Sequence, residues 1–266
     1  MISAGIDAGS RAIKVVLFEH DQRRILGCGL AHQGVEQVQL VETLYADTLR
    51  RAGLDRTEIR AVVATGYGRQ RVALAQTTIT EITCHARGVH HLAPETRSII
   101  EIGGQDSKVI RLDAGGKVRD FAMNDRCAAG TGRFLEVLAS RLALDWPALD
   151  DLSRQSRQPA CISNTCVVFA ETEIIGLLAE GVPAADIAAG VQNSIATRVT
   201  AMVGRALEPP VVFTGGVALQ PGMARALETA LGCPLRVVPD PQFTGALGAA
   251  ILAGRGWDRS LDGSAT

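Results

Sequence analysis

The sequence predicts an α/β protein made of two related halves, and three observations support this prediction. Short apolar runs typical of buried strands end in polar loops that contain glycine. Residues 7–14 match residues 101–108 in register, acid with acid, glycine with glycine and lysine with lysine. Residues 62–66 (Val-Val-Ala-Thr-Gly) also match residues 211–215 (Val-Val-Phe-Thr-Gly). Two shared landmarks in the same order indicate an internal duplication.

The first half is predicted to form one lobe over residues 1–94, with Pro94 marking its end. Its elements follow from apolar runs and from apolar residues at helical spacing. The predicted strands span residues 2–6, 13–18, 24–30 and 61–64, and the predicted helices span 35–52 and 82–92.

The second half repeats this plan over residues 95–254 and adds an insertion that contains Cys127 and Cys166. Residues 255–266 are expected to form a flexible tail. The predicted helices span 134–142, 146–152, 168–180, 184–207, 222–231 and 244–253, and the predicted strands span 109–112, 211–213 and 235–238.

The bulk composition excludes several classes of protein. The chain has 266 residues, and 27 Lys and Arg balance 28 Asp and Glu, which does not suggest a nucleic-acid or membrane-surface partner. No apolar run reaches transmembrane length, and the N-terminus enters a strand pattern at once, so no signal peptide is expected. Six cysteines without disulfide-scaffold spacing indicate a reducing cytoplasm.

Two cysteines lie in polar turns that precede predicted helices. Cys127 lies among small residues before the helix that starts near Phe134, and Cys166 precedes a helix that starts near Phe169. Unpaired N–H groups at a helix N-terminus favour negative charge, which lowers a thiol pKa and suits a metal-bound thiolate. The alternative interpretation is that each is a small buried hydrophobic residue, the usual fate of a free cysteine.

Three loops that contain glycine end apolar strands, at Gly9, at Gly103 and at Gly215. Glycine there lets backbone N–H groups approach an anion, and Asp7 and Asp106 place carboxylates suited to Mg²⁺ nearby. The sequence has neither a P-loop nor a G-x-G-x-x-G fingerprint. Each glycine alone would be explained by a tight turn, but three such loops with flanking acids favour a nucleotide site.

These motifs resemble those of a known superfamily. The segments are residues 5–10, 64–69, 102–106, 124–132 and 214–217. With them the chain resembles the acetate kinase/sugar kinase/Hsp70/actin superfamily, whose halves are RNase H-like. More closely, it resembles the ATP-dependent activators of 2-hydroxyacyl-CoA dehydratases, in the wider family that includes the benzoyl-CoA reductase ATPase subunits. The resemblance covers Gly5 to about Gly254.

The resemblance implies a homodimer that shares one [4Fe-4S] cluster at the subunit interface, with Cys127 and Cys166 as ligands. The helix predicted at 134–142 would then direct its N-terminus at the cluster. Cys161 lies outside the family pattern, either as a spare thiol or as a sign of a different ligand set. Three further cysteines are expected in the core or on helix faces, namely Cys28, Cys84 and Cys233.

The resemblance also implies that ATP binds between the two halves and is hydrolysed to ADP, with Asp7, Gln105 and Asp106 positioning Mg²⁺ and the attacking water. An electron from ferredoxin or flavodoxin would pass to a dehydratase or a benzoyl-CoA reductase-type iron–sulfur enzyme. The expected nucleotide contacts are Gly9, Ser10, Arg11, Lys14, Gly103, Gly104, Gln105, Thr131, Gly132, Thr214, Gly215, Gly216, Val217 and Gln242.

Other functions fit part of this pattern. The chain could be a benzoyl-CoA reductase subunit or a reductase of another iron–sulfur protein. A small-molecule kinase of the same superfamily would transfer a phosphoryl group and need no iron. An actin-like assembly module would form filaments and turn over ATP slowly.

Overall fold

The computed structural model describes residues 1–163, 166–204 and 207–254. These residues form two compact units, each built on a five-stranded sheet. The first unit combines Met1–Pro94 with the described residues from Phe243 onward, and the second comprises Glu95–Gln242. No helix among the described residues is long and apolar enough to cross a membrane. The tail expected over residues 255–266 lies outside the described residues.

The sheet of the first unit has the order β3-β2-β1-β4-β5. The strands are β1 (Ile2–Ala8), β2 (Ala12–Glu19), β3 (Arg24–His32), β4 (Ile59–Thr65) and β5 (Thr77–Thr78). The central strand β1 pairs antiparallel with β2 and parallel with β4. The helices are α1 (Gln37–Ala52), α2 (Glu81–Leu92) and the C-terminal α8 (Thr244–Ala253).

Helix α1 covers one face of this sheet because its apolar residues share one side. Val41, Leu44, Tyr45 and Leu49 are buried against the strand residues of β1 and β2. The helix ends at Gly53, which adopts a left-handed conformation at φ +66° and whose N–H donates to the carbonyl of Arg50.

Helix α8 packs against α2 and the central strand of the first unit. The sequence-based division had placed residues 243–254 in the second lobe. The physical reason for the difference is close backbone packing: a Cβ at Gly248 would overlap the Cys84 carbonyl of α2, and one at Gly5 would overlap the Ala246 carbonyl. Small residues therefore attach α8 to this unit.

The second unit repeats the arrangement, with the strand order β10-β9-β6-β7-β8. Its strands are β6 (Ser98–Ile102), β7 (Ser107–Leu112), β8 (Val118–Asn124), β9 (Val211–Thr214) and β10 (Leu235–Val237). Here β6 pairs antiparallel with β7 and parallel with β9. The sequence repeat appears in the register, because Asp7 faces Lys14 in the first sheet and Glu101 faces Lys108 in the second.

Within the described residues, five α-helices complete the second unit around a core that includes Phe134, Leu138, Val191 and Phe213. Thr131 and Asp145 cap two of these helices through side-chain oxygens that accept backbone N–H groups. The helices are α3 (Gly132–Leu142), α4 (Trp146–Ser153), α5 (Val167–Ala179), α6 (Ala184–Val203) and α7 (Pro221–Leu231). The helix predicted to reach residue 207 thus ends at Val203.

Candidate functional site

In the first unit, the turn between β1 and β2 places a lysine on the Asp7 carboxylate. Lys14 Nζ lies 3.1 Å from Asp7 Oδ2, and both side chains are largely buried. A Cβ at Gly9 would lie 3.1 Å from Lys14 Nζ, so the glycine keeps the space beside the ammonium group open. Ser10 is half-buried and Arg11 is exposed in the same turn. The turn therefore places the ammonium group of Lys14 beside a glycine that has no Cβ to cover it.

A second loop of the first unit packs onto Asp7. Gly66 has φ +94°, and a Cβ there would lie 2.5 Å from Asp7 Oδ1 and 2.6 Å from the Ala8 carbonyl carbon. Only glycine satisfies both the left-handed conformation and this close approach. The Gly68 N–H donates to the Ala8 carbonyl at 2.8 Å and holds the loop in place.

Two buried side chains of α2 border the same carboxylate. His85 Nδ1 lies 2.9 Å from the Thr244 hydroxyl, and a Cβ at Gly245 would lie 3.2 Å from His85 Nε2 and 3.4 Å from Asp7 Oδ2. Burial raises the pKa of the Cys84 thiol to about 12, against a weaker opposing effect of its hydrogen bond with Thr65. Cys84 is therefore a neutral core thiol, as the sequence predicted.

In the second unit, one buried lysine holds two carboxylates. Lys108 Nζ lies 2.9 Å from Glu101 Oε2 and 2.6 Å from Asp106 Oδ2. Lys108 is 1% exposed and Glu101 is 4% exposed, whereas the Asp106 side chain is 27% exposed. Asp106 is thus the carboxylate of this group that faces solvent, which is compatible with its expected role towards Mg²⁺.

The third glycine loop packs directly on Glu101. Gly215 has φ +92°, and a Cβ there would lie 2.6 Å from Glu101 Oε1. The Pro241 carbonyl accepts hydrogen bonds from the Thr214 hydroxyl at 2.8 Å and from the Gly215 N–H at 3.2 Å, which places Gln242 next to this loop. The space next to Gly216 is open, since a Cβ there would meet no atom within 4 Å.

Glu101 is a site residue that the sequence-based prediction missed. The repeat aligns it with Asp7, and this alignment was the signal that could have identified it. Lys108 was likewise seen only as the partner of Lys14 in the repeat. The sequence did not show that the Glu101 carboxylate lies between Gly103 and Gly215. A Cβ added at Gly103 would lie 3.3 Å from Glu101 Oε1, and one at Gly215 would lie 2.6 Å from it.

The first turn of α3 binds the Gly103–Gly104 loop. The Gly132 N–H donates to the Gly103 carbonyl and the Arg133 N–H to the Gly104 carbonyl, both at 2.9 Å. The Thr131 hydroxyl lies 2.7 Å from the Ala128 carbonyl and 3.2 Å from that of Gly104. The N–H groups of Gly132 and Arg133 are therefore already bonded to protein carbonyls. For these two groups, the expectation that the N-terminus of this helix is directed at a cluster is not met.

The same hydrogen bonds bring together several residues of the second unit that were predicted to contact nucleotide. A Cβ at Gly132 would lie 2.9 Å from the Gly103 carbonyl and 3.0 Å from Val217 Cγ2. Thr131 and Gly132 therefore lie at the glycine loops as packing and hydrogen-bonding neighbours. Gln105 is exposed at the tip of the β6–β7 turn.

Cys127 lies four residues before Thr131 and is exposed. The Asn124 side chain closes its turn, because Nδ2 donates to the Cys127 carbonyl at 2.8 Å and Oδ1 accepts from the Cys127 N–H at 3.0 Å. A short 3₁₀ turn (Ala128–Gly130) then joins Cys127 to Thr131. The backbone of Cys127 is thus held in a hydrogen-bonded turn that leads directly to the Gly103–Gly104 contact.

Cys166 is exposed at the N-terminus of α5, and its carbonyl accepts from the Ala170 N–H at 2.9 Å. The predicted helix start after this cysteine matches the described helix. Helix α5 packs against α3, and Arg141 pairs with Glu171 across them. The first turn of α5 exposes Val168 and Phe169, which are 68% and 66% exposed.

The remaining cysteines differ in exposure. Cys161 is exposed, whereas Cys28 and Cys233 are half-buried. Within the ranges that the structure describes, no group of three or more His, Cys, Asp and Glu side chains is arranged to hold a metal ion. A cluster shared by two chains would need only two thiolates from each. The thiols of Cys127 and Cys166 are both exposed, so each is accessible from the surface.

A family model described as the BadF/BadG/BcrA/BcrD ATPase family matches residues 4–253. The chain belongs to the BadF/BadG/BcrA/BcrD ATPase family. It is 44% identical over 259 residues to the 2-hydroxyisocaproyl-CoA dehydratase activator of Clostridioides difficile, covering 95% of each chain. It is 33% identical over 260 residues to a benzoyl-CoA reductase subunit of Thauera aromatica, covering 94% of this chain and 92% of the relative.

This BadF/BadG/BcrA/BcrD ATPase also resembles solved structures, one within the family and one that shares only the fold. The activator of the 2-hydroxyisocaproyl-CoA dehydratase from Clostridium difficile with bound ADPNP superposes with a TM-score of 0.91 at 40% identity, covering 100% of this chain and 99% of that one. A ROK family glucokinase from Streptomyces griseus shares the fold with a TM-score of 0.59 at 14% identity, covering 96% and 100%. The predicted superfamily fold and family resemblance are confirmed.

Proposed function

We propose that this protein is an ATP-hydrolysing iron–sulfur activator that donates a low-potential electron to a 2-hydroxyacyl-CoA dehydratase. One observation carries the proposal beyond the family: the segment with Cys127 is hydrogen-bonded through Gly132 to the Gly103–Gly104 loop. A proposed nucleotide loop and a candidate cluster ligand are thus joined by a short hydrogen-bonded segment. A relative with bound ADPNP and relatives named as dehydratase activators support the same assignment.

The nucleotide contacts are assigned unit by unit. In the first unit, Gly9, Ser10, Arg11 and Lys14 would bind phosphate oxygens, and Asp7 would supply a carboxylate for Mg²⁺. In the second unit, Asp106 would supply a carboxylate for Mg²⁺, and Gln105 would help to orient the attacking water. The other contacts of that unit are Gly103, Gly104, Thr214, Gly215, Gly216, Val217 and Gln242. Lys14 now contacts Asp7, and a phosphate would compete with Asp7 for its ammonium group.

Cys127 and Cys166 would hold half of a [4Fe-4S] cluster that a second copy of the chain completes. When bound, the cluster supplies a one-electron carrier. The apolar residues Val168 and Phe169, exposed next to Cys166, support a symmetric contact between two chains there. Ferredoxin or flavodoxin would reduce this centre.

The chain's own residues would transmit the nucleotide state. A shift of the Gly103–Gly104 loop would move α3 through two backbone hydrogen bonds, and the short turn from Thr131 to Cys127 would follow. Because interfaces and packed elements change between discrete arrangements, small loop shifts can produce larger changes at the thiol.

A benzoyl-CoA reductase role is the second candidate, and the 33% identity to a subunit of that enzyme supports it. It shares the ATPase and the thiol ligands and differs only in the partner protein. A small-molecule kinase predicts no iron and no need for Cys127.

Anaerobic iron and sulfide analysis of the purified protein tests the proposal. We expect iron and acid-labile sulfide in equal amounts, lost in Cys127→Ser while ADP binding persists. Cys28→Ser, which changes a half-buried thiol of the first unit, is the matched control and should keep its iron. Iron-free protein that hydrolyses ATP, or full iron content in Cys127→Ser, would contradict the ligand assignment.

A further inference from the structure

Asn124 ends strand β8 and lies three residues before Cys127. Its side-chain amide makes two hydrogen bonds to the backbone of that cysteine: Oδ1 accepts from the Cys127 N–H at 3.0 Å, and Nδ2 donates to the Cys127 carbonyl at 2.8 Å. Because one partner is a donor and the other an acceptor, only one orientation of the amide makes both bonds. One side chain thus holds the N–H and the carbonyl of Cys127 together.

Gly130 lets the Asn124 amide approach this turn closely. A Cβ at Gly130 would lie 3.3 Å from Asn124 Nδ2, which is tighter than an ordinary contact. The Gly130 N–H also donates to the Cys127 carbonyl, at the longer distance of 3.4 Å. Asn124 therefore supplies the shorter of these two hydrogen bonds to the carbonyl.

The sheet of the second unit holds Asn124 itself. Asn124 pairs with Ser107 in the antiparallel ladder of β7 and β8, and β7 pairs in turn with the central strand β6. Side chains that start from a sheet are held more precisely than those of loops. Residues 125–127 lie outside any helix or strand. The two hydrogen bonds of Asn124 therefore connect Cys127, in an irregular segment, to a fixed point.

The direction of the Cys127 thiol depends on this backbone. Cys127 is exposed, so burial does not hold its side chain, and the rotamers open to a side chain depend on its backbone dihedral angles. Groups that orient a metal ligand without touching the metal typically change metal affinity about 10–100-fold when they are removed. Asn124 stands in that relation to Cys127, since both of its hydrogen bonds go to backbone atoms of the cysteine.

We propose that Asn124 is a positioning residue for the cluster ligand Cys127. This inference rests on the proposed function, in which Cys127 binds iron. Asn124 acts through the cysteine backbone: it keeps Cys127 in one conformation, so that the thiolate stays where the iron needs it. Without Asn124, the cysteine would lose its connection to the end of β8 and would release iron more readily.

The rate of iron release to a chelator tests the proposal. It is measured on the full-length protein, purified without oxygen and kept in Mg–ADP. Asn124→Ala removes both hydrogen bonds, and we expect it to release iron about tenfold faster than the parent protein, or more. Asn124→Asp keeps an acceptor for the Cys127 N–H but loses the donor to the carbonyl, so its rate should lie between those two.

Asp145→Ala is the matched control, because it removes a bond of the same type elsewhere in the second unit. The Asp145 carboxylate accepts from the N–H three residues further on, that of Ala148, at 2.9 Å. A merely structural role of Asn124 predicts that both alanine variants have lower melting temperatures but release iron at the parent rate. The positioning role predicts faster release, and a changed electron paramagnetic resonance spectrum of the reduced protein, in Asn124→Ala alone.

The outcomes separate this inference from the proposed function. Unchanged iron release and an unchanged spectrum in Asn124→Ala, with iron present in the parent protein, would overturn the role of Asn124 alone. If Asn124→Ala does not fold, Asn124→Asp decides, because release at the parent rate would also overturn it. A parent protein without iron, or one whose iron persists in Cys127→Ser, would contradict the proposed function and this inference with it.

Discussion

Replacing Lys108 by Met tests whether one buried lysine holds the carboxylates of the second unit. Lys108 Nζ lies 2.9 Å from Glu101 Oε2 and 2.6 Å from Asp106 Oδ2. Glu101 is 4% exposed, so the variant would remove the ammonium group that lies against a buried carboxylate. Removing one partner of a buried ion pair costs about 3–5 kcal/mol. Asp106 adds little to this loss of stability, because water can solvate its partly exposed carboxylate.

Urea unfolding followed by far-UV circular dichroism measures this loss. The double variant Lys108→Met/Glu101→Gln removes both charges, and we expect it to be more stable than Lys108→Met alone by about 2 kcal/mol. Lys14→Met is the matched control, since its pair with Asp7 is more exposed and should lose less. A loss below about 1 kcal/mol, the value of a surface pair, or equal losses in the single and double variants would refute the reasoning.

Three further predictions concern glycines and a buried thiol. Gly66→Ala should lower the free energy of unfolding by about 1–3 kcal/mol more than Gly53→Ala, because both have positive φ but only Gly66 lies against backbone; equal thermal shifts would contradict this. Because the folded pKa of Cys84 is raised from 9.0 to about 12, its contribution to stability is fully present below pH 9 and is lost as pH rises towards 12, so stability should fall less steeply over this range in Cys84→Ala. Gly132→Ala should weaken ADP binding in calorimetry by crowding the Gly103 loop, whereas Gly176→Ala, whose Cβ meets open space in α5, should bind normally; equal affinities would argue against the coupling.

The repeat explains why so much of the fold was predictable. A match of acid, glycine and lysine between residues 7–14 and 101–108 reports a shared hairpin, and both hairpins place the acid opposite the lysine. The same signal did not show that Glu101 contacts Gly215, because that contact joins β6 to a strand more than a hundred residues away. Parallel pairing of distant strands is set by the packing of the whole unit, which local pattern does not encode.

Helix α8 shows a second limit of sequence reasoning. The helix predicted over residues 244–253 is confirmed as α8, and its glycines and alanines allow close backbone contact, but small residues do not identify the partner. The partner is α2 and β1, where Gly5 and Gly88 provide matching space. Chain order suggested the neighbouring second lobe, whereas complementary small residues on both surfaces place α8 in the first unit.

The cysteine turns show why a helix N-terminus alone does not define a site. Both cysteines precede helices as predicted, yet the first-turn donors of α3 bind the Gly103–Gly104 carbonyls. The N-terminus of a helix favours any hydrogen-bond acceptor, and here backbone carbonyls take that position. The two proposed ligands would therefore act differently: Cys127 is connected to the Gly103–Gly104 loop, a proposed nucleotide contact, whereas Cys166 begins α5 directly. A change at the Gly103–Gly104 loop should thus reach the thiol of Cys127 first, and Cys166 only afterwards through the packing of α5 on α3.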